Sequence, residues 1–336
     1  MVWNVRALRL ASWIALGVPA LVACGGSEPP PQTADNPPPL DDDDAPSGGG
    51  AAAQPSSGKV KEGMDAIQAG DFAKAKTVLT EATQANPKDP QAAFYLGVAD
   101  EGLGDGKTAA EDYRKALSLD PKLAEASTNL SGVLLDLEDA KGALEAAEAG
   151  LKVAPKSPSL LRNRAVALDA TGSKDAPAAF KAALAAAPKD GEVRYLYGES
   201  LARSGDEAGA VKELMPLTES DDVAVLASTG RLLGKLKAFD GCVRALDRAV
   251  SKKDVAELRV QRGICKHGKK DDKAAEADFV AATTADPKYA PAHYYLGQQK
   301  LADGDKKAAK AELQKAAELD TGALGQAAKK ALSEIK

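Results

Sequence analysis

The side chains that most often carry out catalysis are sparse in this chain of 336 residues. Its two histidines are His267 and His293, and neither is clustered with residues that could complete a zinc site or a serine triad. We expect both to be surface residues. Carboxylates are plentiful but alternate with lysines, which is typical of solvated helix faces. The residue types therefore predict no enzyme, no metal site and no cofactor.

Residues 102–108, GLGDGKT, come nearest to a nucleotide-binding motif. A phosphate-binding loop needs four residues between its first glycine and its Gly-Lys pair, and this segment has three. No strand pattern precedes it, as that loop would also require. We interpret the segment as an ordinary turn between two helices.

Two of the three cysteines lie in the second half of the chain. Cys242 occupies a small-residue position in one predicted helix, and Cys265 lies in the next. They could face each other and form a disulfide in an oxidising compartment. We favour packing as two small core residues, because two helical cysteines seldom meet the spacing that a disulfide requires. The disulfide remains the alternative.

The third cysteine, Cys24, follows an apolar run at residues 11–23 that is preceded by Arg6 and Arg9. The run is long enough for the core of a secretory signal and too short to span a bilayer. Its end, Leu-Val-Ala-Cys, resembles the bacterial lipobox, in which the cysteine becomes the lipidated first residue. The resemblance implies a signal peptide at 1–23 and lipid attachment at Cys24.

The alternative is an ordinary signal peptide with an incidental cysteine. Lipoproteins with Asp after the lipidated cysteine tend to stay at the inner membrane, whereas Gly25 stands there in this chain. The resemblance therefore implies the outer membrane, with the protein facing the periplasm.

Residues 24–57 are predicted to be a disordered tether. The stretch contains eight of the nineteen prolines, six acids and no base, so it cannot bury enough apolar surface to offset the entropy of ordering. The acidic run Asp41 to Asp44 could attract calcium, but it lacks the alternating ligands and the turn glycine of a calcium loop. We interpret it as a solvated spacer.

Beyond the tether the charges nearly balance, with 42 basic against 43 acidic residues. This balance predicts neither a nucleic-acid-binding stripe nor a polybasic membrane patch. The abundance of Ala, Lys, Glu and Leu, with only 4% aromatic residues, favours an all-helical protein.

A repeat with a period close to 34 residues runs from residue 57 to the C-terminus. Each repeat reads as two helices and a turn, with a "GD" pair inside several repeats and a proline after several second helices. A small residue recurs in the first helix: Gly63, Gly97, Ser131, Ala165, Gly198, Gly230, Gly263 and Gly297.

The recurring glycines demand a compensating interaction. Each costs about 1 kcal/mol relative to alanine inside a helix. We expect close packing of the paired helix against each gap to offset this cost.

The pattern resembles the tetratricopeptide repeat family. The resemblance implies an all-α, right-handed α-solenoid of about eight helix-turn-helix repeats at 58–321, with a C-terminal capping helix at 322–336. The predicted repeats begin near Ser56, Pro90, Ala124, Pro158, Gly191, Val223, Ala256 and Ala290.

The second helices also carry a recurring small residue, as at Ala82 and Ala116. The fifth repeat departs from the pattern because Leu217 stands at that position and Pro216 lies inside the predicted second helix. Proline there removes a hydrogen bond and clashes with the preceding turn. We favour a simple kink between Leu214 and Asp222, with a hinge or a local binding feature as alternatives.

The resemblance also implies an inner groove, lined by the first helices, that binds a peptide or protein segment. The predicted groove residues are Phe94, Val98, Glu101, Thr128, Leu135, Tyr195, Glu199, Tyr294, Gln298 and Leu301. This face lacks the recurring Lys and Asn with which some relatives hold a C-terminal carboxylate.

Two functions are consistent with these features. The first is a lipid-anchored scaffold that binds protein partners of an envelope assembly on the periplasmic side. The alternative is a dedicated structural subunit, or a pilotin-type assembly factor, of a pilus, secretin or motility machine. In both, the membrane is contacted through N-terminal acyl chains and nucleic acid is not a partner.

Overall fold

A computed structural model describes residues 58–335. The predicted signal peptide and the whole predicted tether, including the lipid attachment site Cys24, lie outside the described residues. Within these residues the chain forms α-helices and one 3-10 helix, without a strand. The all-α prediction is confirmed. The contacts divide the described chain into two units, residues 58–193 and 194–335.

Four helix pairs make up the first unit, and each helix packs mainly against its neighbours in sequence. Its helices are α1 Gly58–Gln68, α2 Phe72–Ala85, α3 Pro90–Gly102, α4 Gly106–Leu119, α5 Ala124–Asp136, α6 Ala140–Val153, α7 Pro158–Ala170 and α8 Ala176–Ala186.

The next helix, α9, spans the point where the two units divide, and the others lie in the second unit. They are α9 Gly191–Arg203, α10 Glu207–Leu214, α11 Val223–Lys235, α12 Phe239–Lys252, α13 Ala256–Gly268, α14 Asp272–Ala285, α15 Ala290–Ala302, α16 Lys306–Leu319 and α17 Ala323–Glu334. The first helices of repeats two to eight begin at the predicted residues, and α1 begins two residues after Ser56.

The turn inside each repeat has a fixed backbone design. Gly104 adopts a positive φ of 82°, and Asp105 then caps α4 by accepting a hydrogen bond from the Thr108 backbone N–H at 3.2 Å. The Asp105 backbone N–H donates back to the Asp100 carbonyl at 2.9 Å. These bonds end one helix and start the next within four residues, so consecutive helices must run back against each other.

The glycines in the first helices accept side chains from the second helices. A Cβ built on Gly97 would lie 2.7 Å from the Tyr113 ring. A Cβ built on Gly297 would likewise lie 2.7 Å from Leu313 Cγ. The compensation expected from the sequence is therefore a large side chain, sixteen residues further on, that fills the space which the glycine leaves. In the third repeat, where Ser131 replaces glycine, the residue at that distance is the small Ala147.

In the fifth repeat the second helix stops rather than kinks. The α-helix α10 ends at Leu214, and a 3-10 helix, Met215–Glu219, continues the chain. Pro216 lies in the first turn of that 3-10 helix, where its missing N–H is tolerated. Leu217, the departure from the small-residue column, is buried. The favoured kink within one helix is thus corrected to a change of helix type.

The last helix, α17, packs against α16 and α15. Its Ala328 and Ala331, together with Ile335, join Leu313 and Ala316 of α16 in one buried cluster. An amphipathic helix therefore covers the apolar edge of the last repeat. The described helix ends at Glu334.

Buried ion pairs join three helices of the second unit. Asp278 on α14 accepts two hydrogen bonds from Arg262 on α13, at 2.8 and 2.5 Å. Lys266 Nζ lies 2.9 Å from the same carboxylate, and Arg262 also reaches Asp247 on α12 at 2.9 Å. Removing one partner would leave a buried charge uncompensated, so the network fixes the positions of α12, α13 and α14.

Candidate functional site

The ten predicted groove residues lie on first helices of the repeats, and most are half-buried. In the first unit, Phe94 and Val98 pack against the cluster that contains Tyr113 and Leu134. The Phe94 ring centroid lies 5.0 Å from that of Tyr95 and 5.8 Å from that of Tyr113. Phe94 is thus held by neighbouring rings and presents only part of its surface.

Glu101 is fixed by a hydrogen-bond network that the sequence analysis did not identify. The Tyr113 hydroxyl donates to Glu101 Oε2 at 2.6 Å and accepts from Asn129 Nδ2 at 3.2 Å. Burial, followed by the neighbouring Glu101, raises the pKa of Tyr113 and keeps its hydroxyl protonated. The network joins α3, α4 and α5, so Glu101 is positioned by two repeats.

Thr128 and Leu135 offer less surface than predicted. The Thr128 hydroxyl donates to the Ala124 carbonyl at 3.0 Å, and its own carbonyl accepts from Asn163 Nδ2 at 3.2 Å. Leu135 is 8% exposed and belongs to the core cluster. Leu135 therefore contributes to packing rather than to an open face.

A group of charged and aromatic residues lies in the second unit around Arg231, which the sequence analysis did not select. We call Tyr195, Glu199, Arg231, Glu257 and Tyr289 the Arg231 cluster. Burial, then the charge of Glu199, raises the pKa of Tyr195 to about 12, while the charge of Arg231 opposes the shift. Burial, then Glu257, raises the pKa of Tyr289 to about 12, again opposed by Arg231.

Arg231 itself is half exposed, and its Nη2 lies 3.8 Å from Glu257 Oε1. That distance is too long for a hydrogen bond and leaves a weak, solvated ion pair. The charge of Arg231 thus acts on a buried tyrosine, Tyr195, and on a half-buried one, Tyr289, while its guanidinium keeps donors available to a partner. In the sequence, Arg231 occupies an ordinary helix position, and no motif or spacing around it indicated this arrangement.

The remaining groove residues lie near the C-terminus. The rings of Tyr294 and Tyr295 meet edge to face at 5.3 Å. Tyr294 and Leu301 pack against the cluster of α16 and α17, and Gln298 is half-buried. Tyr294 and Leu301 are thus held in part by the last helix, which lies in the segment predicted to form the cap.

The two cysteines of the second unit are joined. The structure links Cys242 on α12 to Cys265 on α13 by a disulfide, with the Cα atoms 6.1 Å apart. The favoured interpretation of two separate core thiols is corrected. The helices α12 and α13 are neighbours in different repeats, and their close packing brings the two Cα atoms within disulfide range.

The two histidines have different environments. His267 is exposed, as predicted, and contacts Asp272. His293 is buried, which corrects the prediction of a surface residue. Its Nδ1 lies 2.6 Å from Glu312 Oε2, and its Nε2 lies 3.0 Å from the Pro287 carbonyl oxygen. The ring thus connects α15 to α16 and to the preceding turn.

Two neighbouring carboxyl groups lie in the second repeat, that of the buried Asp100 and that of the half-buried Asp112. Asp100 is 1% exposed and lies 2.5 Å from Lys76 Nζ. Burial, followed by the neighbouring Asp100 carboxyl group, raises the pKa of Asp112 to about 7. Asp100 stands where four other repeats place leucine: Leu134, Leu168, Leu201 and Leu233.

In residues 58–335, no group of three or more His, Cys, Asp or Glu side chains is arranged to hold a metal ion. None of the helices in that range combines the length and apolar character needed to cross a membrane.

Comparison with known proteins agrees with the helical repeat. Residues 60–124 and 173–215 match the family model "Tetratricopeptide repeat". These two segments support the tetratricopeptide repeat family. The second segment includes the fifth repeat as far as Met215, the residue at which the 3-10 helix begins.

One curated relative is the heat-shock protein cognate (HSC) co-chaperone sgt12 of Aspergillus fumigatus. It is 34% identical over 99 residues, which are 29% of this chain and 29% of that protein. The chain therefore spans less than a third of the relative's length. The co-chaperone description belongs to that protein.

Several solved structures share the helical architecture at low identity. The Pseudomonas aeruginosa pilF structure is 18% identical, covers 58% of this chain and 90% of its own, and has a TM-score of 0.48. Yeast Tom70 is 16% identical, with coverages of 85% and 65% and a TM-score of 0.47. MamA of Desulfovibrio magneticus RS-1 is 25% identical, with coverages of 49% and 98% and a TM-score of 0.46.

Proposed function

We propose that this protein is a non-catalytic scaffold that binds segments of partner proteins on the first-helix faces of its repeats. The tetratricopeptide match supports the general class. The observation that carries the proposal is the Arg231 cluster, in which a half-exposed guanidinium makes only a weak ion pair with Glu257 and its charge acts on Tyr195 and Tyr289.

Arginine and tyrosine are enriched among the residues that dominate protein–protein binding energies. A guanidinium can form two parallel hydrogen bonds with a carboxylate, and the half-buried ring of Tyr289 supplies apolar area with little loss of conformational entropy. The cluster therefore suits a partner segment that carries an acidic side chain next to an apolar one.

Capture from a cell-envelope extract tests this surface. The bait is the full chain with Cys24→Ser, so that acylation does not affect its solubility. We expect Arg231→Ala to lose the captured partners, because it removes the donors on the first helix. Arg244→Ala removes the same charge from an exposed position on the second helix α12 and should capture normally. Equal capture by all three baits would contradict the proposed surface.

We further propose that the protein is anchored by lipid on Cys24 and faces the periplasm. The Leu-Val-Ala-Cys motif and the acidic, proline-rich tether that follows it support this proposal. Mass spectrometry of the mature N-terminus would test the anchor. We expect an acylated peptide that begins at Cys24, and a Cys24→Ser chain without fatty acid. A mature wild-type chain free of fatty acid would exclude the anchor while leaving the binding surface untouched.

Crosslinking from position 231 separates the scaffold from the dedicated subunit. A scaffold of an envelope assembly should give several partners in substoichiometric amounts. One partner in stoichiometric amount would favour the structural subunit or pilotin-type factor instead.

A further inference from the structure

The disulfide lies beneath the helix that precedes both of its cysteines. A Cβ built on Gly234 of α11 would lie 3.2 Å from Cys265 Sγ and 3.3 Å from Cys242 Sγ. The backbone of α11 therefore covers the two sulfurs directly. Glycine occurs at this position of the repeat only here; the other repeats place Ile67, Glu101, Leu135, Asp169, Ala202, His267 and Leu301 there.

Both sulfur-bearing residues are shielded in the folded unit. Cys242 is fully buried and Cys265 is 4% exposed. Leu233 of α11 and Leu246 of α12 are fully buried nearby in sequence, and Leu246 fills the space left by Gly230. Thiol–disulfide exchange requires an attacking sulfur to reach one of the two sulfurs. Because the packing of α11, α12 and α13 buries both cysteines, we expect exchange to require a local opening of the unit.

We propose that the Cys242–Cys265 disulfide is made by exchange with an external disulfide before α11 closes over α12 and α13, and that the folded unit then protects it. A thiol-oxidising step must therefore precede completion of the second unit. The two cysteines are only 23 positions apart in the sequence, so their thiols meet readily in a chain that has not yet folded.

The reaction consists of two exchanges. One cysteine thiolate attacks the external disulfide, which forms a mixed disulfide and releases the first thiolate of the oxidant. The other cysteine thiolate then attacks the protein sulfur of the mixed disulfide, which forms the Cys242–Cys265 bond and releases the second thiolate. The chain loses two electrons and two protons, and the external disulfide becomes two thiols.

Exchange with glutathione tests the shielding directly. The full chain with Cys24→Ser retains only these two cysteines. Its oxidised form is incubated with reduced glutathione, either folded or unfolded in urea, and free thiols are alkylated and counted by mass spectrometry. We expect reduction of the folded chain to be slower by at least about tenfold, because exchange must wait for local opening. A difference smaller than that would overturn the proposal.

The order of events is tested by the reverse reaction. Reduced chain receives oxidised glutathione either at the start of refolding or after refolding without oxidant is complete. We expect the late addition to oxidise the pair more slowly by at least about tenfold, and equal rates in a chain shown by circular dichroism to be folded would overturn the order. A reduced chain that cannot fold would support it, because oxidation would then have to come first. Leu246→Ala, which empties the space beside Gly230, should accelerate late oxidation if it folds.

Discussion

At the scale of single residues, paired helices pack closely because a large side chain of one fills the space left by a glycine of the other. Where the first helix omits a side chain at Gly97, the second helix supplies the buried ring of Tyr113. The hydroxyl of that ring is in turn held by Glu101 and Asn129. The cost of a glycine inside a helix is thus offset by a side chain that could not otherwise fit.

We expect Gly97→Ala to destabilise the first unit by about 1 to 3 kcal/mol, because the new methyl group would meet a tethered ring. Gly106→Ala is the matched control, since its nearest neighbour would be Val133 at an ordinary 3.5 Å. The control should be neutral or stabilising by a few tenths of a kcal/mol. Urea unfolding measures the change in stability of both variants. Equal changes would contradict the proposed packing of Tyr113 into the space left by Gly97.

The neighbouring carboxyl groups of Asp100 and Asp112 predict that the stability of the first unit depends on pH. Because the pKa of Asp112 is about 7 in the folded chain and 3.8 is its ordinary value, the folded state binds more protons between those values. The contribution of Asp112 to the free energy of unfolding is therefore fully present below about pH 4 and is lost as the pH rises through 7. Removing the charge should matter most above neutral pH.

Asp112→Asn should flatten this dependence and stabilise the first unit at about pH 8 by on the order of 1 to 2 kcal/mol, a value reduced for partial solvent exposure. Urea unfolding from about pH 5 to 8.5 measures the effect. Glu111→Gln, at an exposed neighbouring position of the same helix, controls for the loss of one negative charge. A parallel pH dependence in wild type and Asp112→Asn would refute the prediction.

At the scale of elements, the turns between paired helices differ in the residue that adopts a positive φ, and therefore in backbone strain. Glycine supplies the positive φ in several repeats, but Glu138, Lys237 and Lys270 adopt values of 62°, 56° and 65° in others. The left-handed region costs a residue with a Cβ about 1 kcal/mol or more. The same hairpin of helices is therefore formed in each case, at unequal cost.

Lys270→Gly should stabilise the second unit by about 0.5 to 1 kcal/mol, because glycine removes the strain at φ 65°. The reciprocal change, Gly304→Ala, places a side chain at φ 84° and should cost a similar amount. Thermal unfolding measures both signs. A destabilising effect of Lys270→Gly would contradict this prediction. It would mean that the lysine side chain stabilises the unit by more than the relief of backbone strain does.

At the scale of the whole molecule, stability in a repeat array is a sum over units and their neighbours, so its ends need protection. The last helix, α17, covers Leu313 and Ala316 of the final repeat. The described chain thus ends in an element that completes the core of its neighbours rather than adding another pair.

Truncation before Gly322 should expose this cluster and weaken α15 and α16 selectively. Hydrogen exchange would detect faster exchange there, with α1 to α4 as an internal control because they belong to the other unit. Uniformly faster exchange along the whole chain would show instead that the array unfolds as one cooperative body.

The sequence by itself determined the helices, their starts and the small-residue column, because these depend on local properties: capping by Asp105, the positive φ of Gly104 and the recurrence of glycine every 34 residues or so. Only the tertiary structure decided that Cys242 and Cys265 are bonded, that His293 is buried and that Arg231 lies beside Glu257. Each of these depends on contacts between different helices, whose distances follow from how the repeats pack and not from the spacing of residues along the chain.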